Sequence, residues 1–302
     1  WIMLLSPLPT DQTDRRVLLA HEAWHRAQPQ LGFASTNAAN AHLDQERARV
    51  LLRLEFRALA TALRSRGRAR DNAAREALLF RSARHVAFPG AAAEEAMLDR
   101  NEGLAAYTGV RLGAGENTDL YAARILDEFD NHEAYSRAFA YANGPAYGLL
   151  LDRAQPNWRS EIGPNTPANL LAAILRPRTE DRRRLTEATA RYGGAEVAAA
   201  ERSRAQSMAA RLADLRRLYA ESPRLELPLI AMRMEFNPNQ ITAIPGLGSF
   251  YGTLTIRDSW GELRTTEGAV IASDVASSGG HRNAQFHNLH QGQPFCFSAG
   301  LG

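Results

Sequence analysis

The stretch LLAHEAWHRAQ, Leu18 to Gln28, carries two histidines four residues apart, with a glutamate directly after the first. Threonines and aspartates between Thr10 and Asp14 are suitable N-cap residues, and Pro29 follows the stretch. Proline is common just beyond the end of a helix, and capping side chains mark its start. The sequence therefore predicts a helix from Asp14 to Gln28.

The spacing within this predicted helix is that of a zinc-binding motif. His21 and His25 stand one turn apart on the same face, which allows two imidazoles to bind one zinc ion. Glu22 is offset by about 100° and is placed to reach a water molecule beside the metal. The pentad HEAWH therefore offers two ligands and a general base, although such a pentad arises by chance in roughly one chain in a hundred. A third ligand is needed.

The best candidate for that ligand is Glu102, in the sequence LDRNEGLAAYTG within a helix predicted from Ala91 to Arg111. The two motifs together resemble the gluzincin metallopeptidases, in which a glutamate on a later helix, inside an N-E-G-hydrophobic-A-x-Y signature, completes the HExxH site. The aminopeptidase N and glycyl aminopeptidase branches are examples. The resemblance implies one zinc ion held by His21, His25 and Glu102. Because the glutamate follows at a long distance in sequence, we expect the helices between Asn37 and Arg84 to fold outside the ligand helices.

Other acidic residues are rival third ligands. They are Glu55 in LRLEFRAL and three carboxylates shortly before Glu102, namely Glu94, Glu95 and Asp99. Glu55 is interpreted as solvated or ion-paired beside Arg53 and Arg57. Asp99 lies three residues before Glu102 on the same predicted face, where it either orients a ligand histidine or remains an exposed helix charge.

A gluzincin-type peptidase also needs a hydrogen-bond donor for the oxyanion that forms when water attacks a peptide carbonyl. In the aminopeptidase-like branches a tyrosine in a Y-x-x-G context has this role. Tyr141-Ala-Asn-Gly144 matches that spacing, so Tyr141 is the candidate donor, and Tyr147, which follows, is the alternative. The alternative is that both are core residues with a hydrogen-bonded hydroxyl. Asn143-Gly144-Pro145 is interpreted as a turn or a helix start.

The resemblance implies zinc-dependent hydrolysis of peptide bonds by a metal-activated water, with Glu22 as general base and a peptide or protein as substrate. No G-x-M-E-N-type stretch for gripping a free amino terminus is present, so endopeptidase and aminopeptidase activity both remain open. The alternative hypothesis is a zinc-binding or cell-envelope scaffold protein that keeps the fold without turnover.

Hydrophobic periodicity predicts a mainly α-helical domain over residues 1–222, with a possible short edge strand at Trp1 to Leu5, and the resemblance implies that this domain is the catalytic one. After Ser222 the composition shifts to β-branched and apolar runs separated by turn signals. These runs are Leu225–Phe236, Phe250–Arg257 and Ala269–Val275. Residues 223–302 therefore form a predicted small β-rich C-terminal module that ends in a poorly patterned tail.

The composition is that of an ordinary globular protein, with 45% hydrophobic and 23% charged residues. All 36 basic residues are arginines and the formal net charge is only +3. Clusters such as Arg64–Arg70 and Arg182–Arg184 lie beside acidic residues and match no nucleic-acid motif, so we expect no nucleic-acid partner.

The single cysteine, Cys296, excludes an intramolecular disulfide, and no apolar run is long enough to cross a bilayer. The sequence leaves the oligomeric state open. It favours a periplasmic, secreted or cell-envelope location over a cytoplasmic one.

Overall fold

The structure is a computed structural model. It describes residues 2, 4, 6–33, 35–36, 38–179, 181–221, 224–237, 240–244, 246–265, 269–272, 282–288 and 296–298. The chain is mainly helical with antiparallel strands near its C-terminus, which confirms the predicted combination of a helical part and a β part. It folds into two compact units, Trp1–Ala205 and Gln206–Gly302.

The described helices occupy most of the first two-thirds of the chain. They are α1 (Gln12–Ala27), α2 (Glu46–Arg64), α3 (Gly67–Ala87), α4 (Ala91–Leu98), α5 (Leu104–Gly113), α6 (Thr118–Phe129), α7 (Phe139–Ala154), α8 (Trp158–Glu161), α9 (Pro167–Leu175), α10 (Arg182–Arg191) and α11 (Gly194–Glu221). A single π-helical turn, Asp99–Gly103, joins α4 to α5, and a 3-10 turn, Gln28–Leu31, follows α1. No described helix is long and apolar enough to span a membrane.

Helix α1 confirms the helix predicted for the HEAWH stretch. The Asp11 carboxylate is its N-cap and accepts hydrogen bonds from the backbone N–H groups of Thr13 and Asp14, at 2.8 and 2.9 Å. These bonds satisfy two donors that the first helical turn leaves without a partner. His21 is the buried residue of α1, so the helix face that carries this histidine points into the protein.

Two predicted details of the helices are wrong. The helix predicted over Ala91–Arg111 is interrupted by the π turn, because the backbone N–H of Leu104 bonds to the carbonyl of Asp99. The break predicted at Asn143-Gly144-Pro145 is absent, because α7 runs through Pro145 without interruption. A proline inside a helix removes one hydrogen bond at a cost of about 3 kcal/mol in an isolated helix, but here both of its neighbours along the helix are fully buried or nearly so.

Close helix packing brings the three elements of the candidate site together. Helix α1 crosses α5 at Gly109 and Gly113, where an added Cβ would lie 2.7 Å and 2.5 Å from backbone atoms of Val17. On α7, a Cβ at Gly144 would lie 2.5 Å from the Cα and carbonyl oxygen of Gly103 in the π turn. Only residues without a side chain allow backbones to approach this closely. Glycines therefore hold α1 and α7 against the segment that carries Glu102.

The second unit contains two antiparallel sheets. The strands are β1 (Arg224–Leu229), β2 (Arg233–Phe236), β3 (Ile241–Ile244), β4 (Gly248–Tyr251), β5 (Leu254–Asp258), β6 (Gly261–Thr265), β7 (Ala269–Ala272), β8 (Arg282–Asn288) and β9 (Cys296–Ser298). One sheet has the order β1-β8-β7-β4-β3 and the other β2-β5-β6-β9. Within this unit Leu215, Ile244 and Phe250 form a small buried cluster.

Two of the predicted runs are divided into shorter strands, and of the third, Ala269–Val275, residues 269–272 form β7 while residues 273–275 lie outside the described residues. The run Leu225–Phe236 divides into β1 and β2, and the run Phe250–Arg257 divides at Gly252 between β4 and β5. Strands β8 and β9 lie in the tail where the sequence shows no pattern. Of the possible N-terminal edge strand only Ile2 and Leu4 are described, and neither is in a strand; Trp1, Met3 and Leu5 lie outside the described residues.

Candidate metal centre

Three side chains converge where α1 meets the π turn. The Nε2 atoms of His21 and His25 lie 3.1 Å apart, and the Oε2 atom of Glu102 lies 3.4 Å from the first and 3.2 Å from the second. His25 and Glu102 are separated by 77 positions in sequence, and they meet because α5 packs along α1. These residues are the one group among the described residues that could hold a metal ion through three ligands.

The triangle of donor atoms has the size that a tetrahedral zinc ion requires. Zinc binds histidine nitrogen and carboxylate oxygen at about 2.0–2.2 Å, so two ligands of a tetrahedral site stand about 3.3–3.5 Å apart. The three separations in the protein lie within a few tenths of an ångström of that value. Two neutral imidazoles and one carboxylate also form a ligand set that catalytic zinc sites use, with the fourth position left for water or substrate. The residues therefore fit a zinc ion.

The π turn sets the direction of Glu102. One extra residue in the turn shifts the side chains that follow it relative to those before it, and such turns are frequent at functional sites. Asp99, at the start of the turn, is buried and contacts Arg81, whereas Glu102 reaches the histidines of α1. Asp99 and Glu102, three positions apart in the same turn, thus face different neighbours.

A chain of hydrogen bonds connects two of the candidate ligands behind the site. His25 Nδ1 lies 3.0 Å from Gln28 Oε1, Gln28 Nε2 donates to Asn101 Oδ1 at 3.0 Å, and Asn101 Nδ2 donates to Glu102 Oε1 at 3.1 Å. Because the Gln28 oxygen accepts, the proton of a neutral His25 resides on Nδ1 and leaves Nε2 free for a metal. The Asn101 bond likewise occupies one oxygen of Glu102 and leaves Oε2 toward the histidines.

We expect Gln28→Ala to weaken zinc binding by about 10–100-fold, because hydrogen-bond partners of ligand side chains typically have effects of that size. The dissociation constant for zinc, measured by competition with a chelator, checks this. Gln30→Ala is the matched control, because Gln30 lies in the same 3-10 turn and is exposed. Equal zinc affinity in the two variants would contradict a role for Gln28 in orienting His25.

Ionisation states at the site follow from the same contacts. Burial acts to raise the pKa of Glu102, but hydrogen bonds from His21, His25 and Tyr141 hold the pKa well below its usual value. The hydrogen bond with Glu102 raises the pKa of His25, although partial burial opposes this. Glu102 is therefore a carboxylate at neutral pH, which is the form that binds a metal.

Tyr141 lies at the candidate ligands, on the first turn of α7. Its ring stacks on the imidazole of His21, with centroids 5.4 Å apart and an angle of 16° between the planes. Burial, together with the hydrogen bond to Glu102 and its negative charge, raises the pKa of the Tyr141 hydroxyl. The group therefore remains a protonated hydrogen-bond donor across the neutral range.

Glu22 is half-buried beside the same ligands. Its charge acts on both His25 and Tyr141, which places the carboxylate close to the site. No hydrogen bond joins the Glu22 carboxylate to another described residue. A carboxylate in this position is available to accept a proton from water at the site.

None of the protein families, curated proteins or solved structures with which the chain was compared is similar to it. A functional proposal for this chain therefore depends on the two sequence motifs and on the geometry of the site.

The rival third ligands lie elsewhere. The prediction that Glu55 is solvated or paired with Arg53 and Arg57 is wrong, because its side chain is fully buried and contacts Arg81 and Arg84. Those two arginines on α3 also bind Glu95 and Asp99, which places all three carboxylates in one buried ionic cluster. The prediction that Asp99 orients a ligand histidine, or is an exposed charge, is also wrong for this reason.

The two candidate tyrosines have different surroundings. Tyr147 is buried in the core, where its hydroxyl donates to Glu55 at 2.7 Å, so it matches the structural alternative. Tyr107, the last residue of the NEGLAAY stretch, is also structural: its hydroxyl donates to Asp152 at 2.8 Å and its ring lies against α7 at Gly148. Only Tyr141 of these three contacts the candidate ligands.

Sequence reasoning missed Gln28, Asn101 and the packing glycines. The side-chain amides of Gln28 and Asn101 bond to each other across 73 positions of sequence, and no local pattern indicates such a pair. A signal for the glycines was present, because Gly109 and Gly113, and also Gly144 and Gly148, recur four residues apart on one helix face.

Proposed function

We propose that this chain is a zinc-dependent hydrolase of peptide bonds, a metallopeptidase of the gluzincin type with one zinc ion. The observation that carries the proposal is the convergence of His21, His25 and Glu102 from distant parts of the chain into a triangle of the size that zinc requires. A general base and a hydrogen-bond donor, Glu22 and Tyr141, lie beside the same triangle. This combination is the minimum that the chemistry needs.

A zinc ion held by these ligands would polarise the substrate carbonyl and lower the pKa of water at the site. Glu22 then accepts a proton from the attacking water, whose oxygen forms a bond to the carbonyl carbon. Glu22 later passes that proton to the amide nitrogen as the carbon–nitrogen bond breaks. The products are a carboxylic acid and an amine, and Glu22 returns to its carboxylate form.

Tyr141 supplies a hydrogen bond to the substrate carbonyl oxygen. The substrate carbonyl oxygen gains negative charge as water attacks, and a hydrogen bond formed at that stage lowers the barrier. The Tyr141 hydroxyl is a protonated donor and already contacts Glu102, so it lies within reach of an oxygen atom bound at the site. The proposed substrate is a peptide or a protein. The experiment described next also distinguishes internal cleavage from removal of N-terminal residues.

The test measures bound zinc and hydrolysis of a broad peptide library by the purified full chain. We expect one equivalent of zinc, loss of hydrolysis after chelation, and recovery when zinc is returned. Mass analysis of the cleaved peptides distinguishes internal cleavage from stepwise N-terminal removal. The absence of bound zinc would overturn the proposal. Bound zinc without hydrolysis would favour the alternative function, a zinc-binding scaffold.

A further inference from the structure

Two adjoining cavities open at the corner between α2 and α3, and both are lined by Ser65. Their volumes are about 540 and 860 Å³, within the range of sites that hold small molecules. None of the candidate zinc ligands, and none of the hydrogen-bond partners behind them, lines either cavity. The pair of cavities is therefore separate from the candidate metal centre.

The lining of these cavities concentrates positive charge. Ten arginines line the two cavities against four acidic residues, although the formal net charge of the whole chain is only +3. Two of the arginines also contact acidic residues outside the lining, Arg64 with Asp127 and Arg70 with Asp71. Positive charges still exceed negative ones by four after both contacts are counted.

Four of the lining arginines carry this excess, because they form no ion pair with any described carboxylate: the exposed Arg66, Arg176 and Arg178, and the half-buried Arg75. Arg75 donates instead to the carbonyl of Leu175 and to the side-chain oxygen of Asn72. By contrast Arg153, Arg184 and Arg191 each contact an acidic residue in the lining. Unpaired guanidinium groups that face one cavity system repel one another, and a multiply charged anion relieves that repulsion.

We propose that the two cavities form a binding site for a small oligophosphate, which we call the arginine cleft and define by Arg66, Arg70, Arg153, Arg176 and Arg178. Each guanidinium presents a planar fork of donors that matches phosphate oxygens in pairs. A phosphate group carries up to about two negative charges at neutral pH, so a short chain of phosphates matches an excess of four charges better than a small carboxylic acid does. The cavity volumes suit a small molecule.

The experiment titrates the full chain with inorganic tripolyphosphate by calorimetry at low, constant ionic strength. The test variant is the double substitution Arg66→Glu with Arg178→Glu. Its matched control is Arg47→Glu with Arg137→Glu, two exposed arginines outside the cleft that also have no described acidic partner. We expect the dissociation constant to rise at least about tenfold in the test variant, since charge-assisted hydrogen bonds contribute at that level, and to change by no more than about threefold in the control.

Three further measurements decide the interpretation. The neutral double variant, Arg66→Gln with Arg178→Gln, should also weaken binding, and unchanged helical circular dichroism shows that it folds. Glu102→Gln should bind tripolyphosphate as the unaltered chain does, because the cleft is separate from the zinc ligands; loss of binding there would place the anion on zinc and overturn the proposal. Undetectable binding, equal weakening in the control, or binding of citrate as tight as that of tripolyphosphate would overturn it too.

Discussion

Replacing Glu22 by glutamine is expected to lower kcat/KM for peptide hydrolysis by about 10²–10⁴-fold while bound zinc stays at one equivalent. Glutamine has nearly the same size as glutamate but cannot accept a proton at neutral pH. The Glu22 carboxylate is not one of the three donor atoms that fit a zinc ion, so its loss leaves the ligand set intact. Zinc content and hydrolysis of the best library peptide, measured on the same preparation, check both halves of this result.

The same chemical change at two other glutamates separates the possible causes. Glu102→Gln removes a ligand carboxylate, so we expect it to lose zinc and hydrolysis together. Glu94→Gln changes a carboxylate with a side chain 43% exposed and should alter neither. Retained hydrolysis in Glu22→Gln would exclude Glu22 as the base. Loss of zinc in Glu22→Gln would instead assign it a role in binding the metal.

Local sequence patterns predicted the candidate ligands because each ligand lies in a short, regular context. His21 and His25 are one helical turn apart, so their relation depends only on the formation of α1. Glu102 was selected by the neighbouring NEGLAAY residues rather than by its distance from the histidines. The spacing to Gly144 likewise selected Tyr141 over Tyr147 as the candidate donor at the site, and the stacking of Tyr141 on His21 is a contact that the spacing alone does not give.

Contacts between distant segments were not predictable in this way. Glu55 lies on a helix between Arg53 and Arg57, and the local sequence predicts that it pairs with them. In the folded chain its partners come from α3, because the buried face of α2 turns Glu55 inward. The continuity of α7 through Pro145 has a similar origin. The sequence shows the local cost of a proline inside a helix, but it does not show the burial of α7 that offsets this cost.

The buried ionic cluster links these observations to the candidate site. Arg81 and Arg84 on α3 contact carboxylates on α2, on α4 and at the start of the π turn. Asp99 is one of these carboxylates, and Glu102 follows it within the same turn. The cluster therefore anchors the segment that presents Glu102 to the histidines of α1. The contacts of Arg81 and Arg84 contribute both to the stability of the fold and to the geometry of the candidate ligands.

We expect Glu95→Gln to lower the free energy of unfolding by about 3–5 kcal/mol at neutral pH, the usual cost of removing one partner of a buried ion pair. The Glu95 carboxylate is fully buried and receives hydrogen bonds from Arg84 at 2.7 and 2.8 Å, and it contacts His42 at 2.9 Å and His85 at 3.0 Å. The substitution leaves the buried charge of Arg84 only partly balanced. Urea unfolding of the zinc-free chain gives the free energy directly, with Glu94→Gln as the neighbouring control.

The pH dependence gives the same prediction a sign. Burial alone acts to raise the pKa of Glu95, but the charge of Arg84 and the hydrogen bonds from Arg84, His42 and His85 hold that pKa well below its ordinary value of 4.5. A carboxylate with a lowered pKa in the folded state stabilises the protein above its unfolded pKa, and this contribution is lost as the pH falls. The difference in unfolding free energy between the unaltered chain and Glu95→Gln should therefore be fully present at neutral pH and shrink below about pH 4.5.

Asp99 acts in the opposite sense and in a different pH window. Burial raises the pKa of Asp99 from its ordinary value of 3.8 to about 6, although the charge of Arg81 opposes this shift. The contribution of Asp99 to the free energy of unfolding is therefore present below pH 3.8 and is lost as the pH rises through 6. The window of Asp99, from pH 3.8 to about 6, overlaps that of Glu95 only between pH 3.8 and 4.5, so unfolding measured below pH 3.8 reports mainly on Glu95. A difference between the unaltered chain and Glu95→Gln that stays constant from neutral pH to well below 4.5 would show that Glu95 stabilises the fold through its shape and not through its charge.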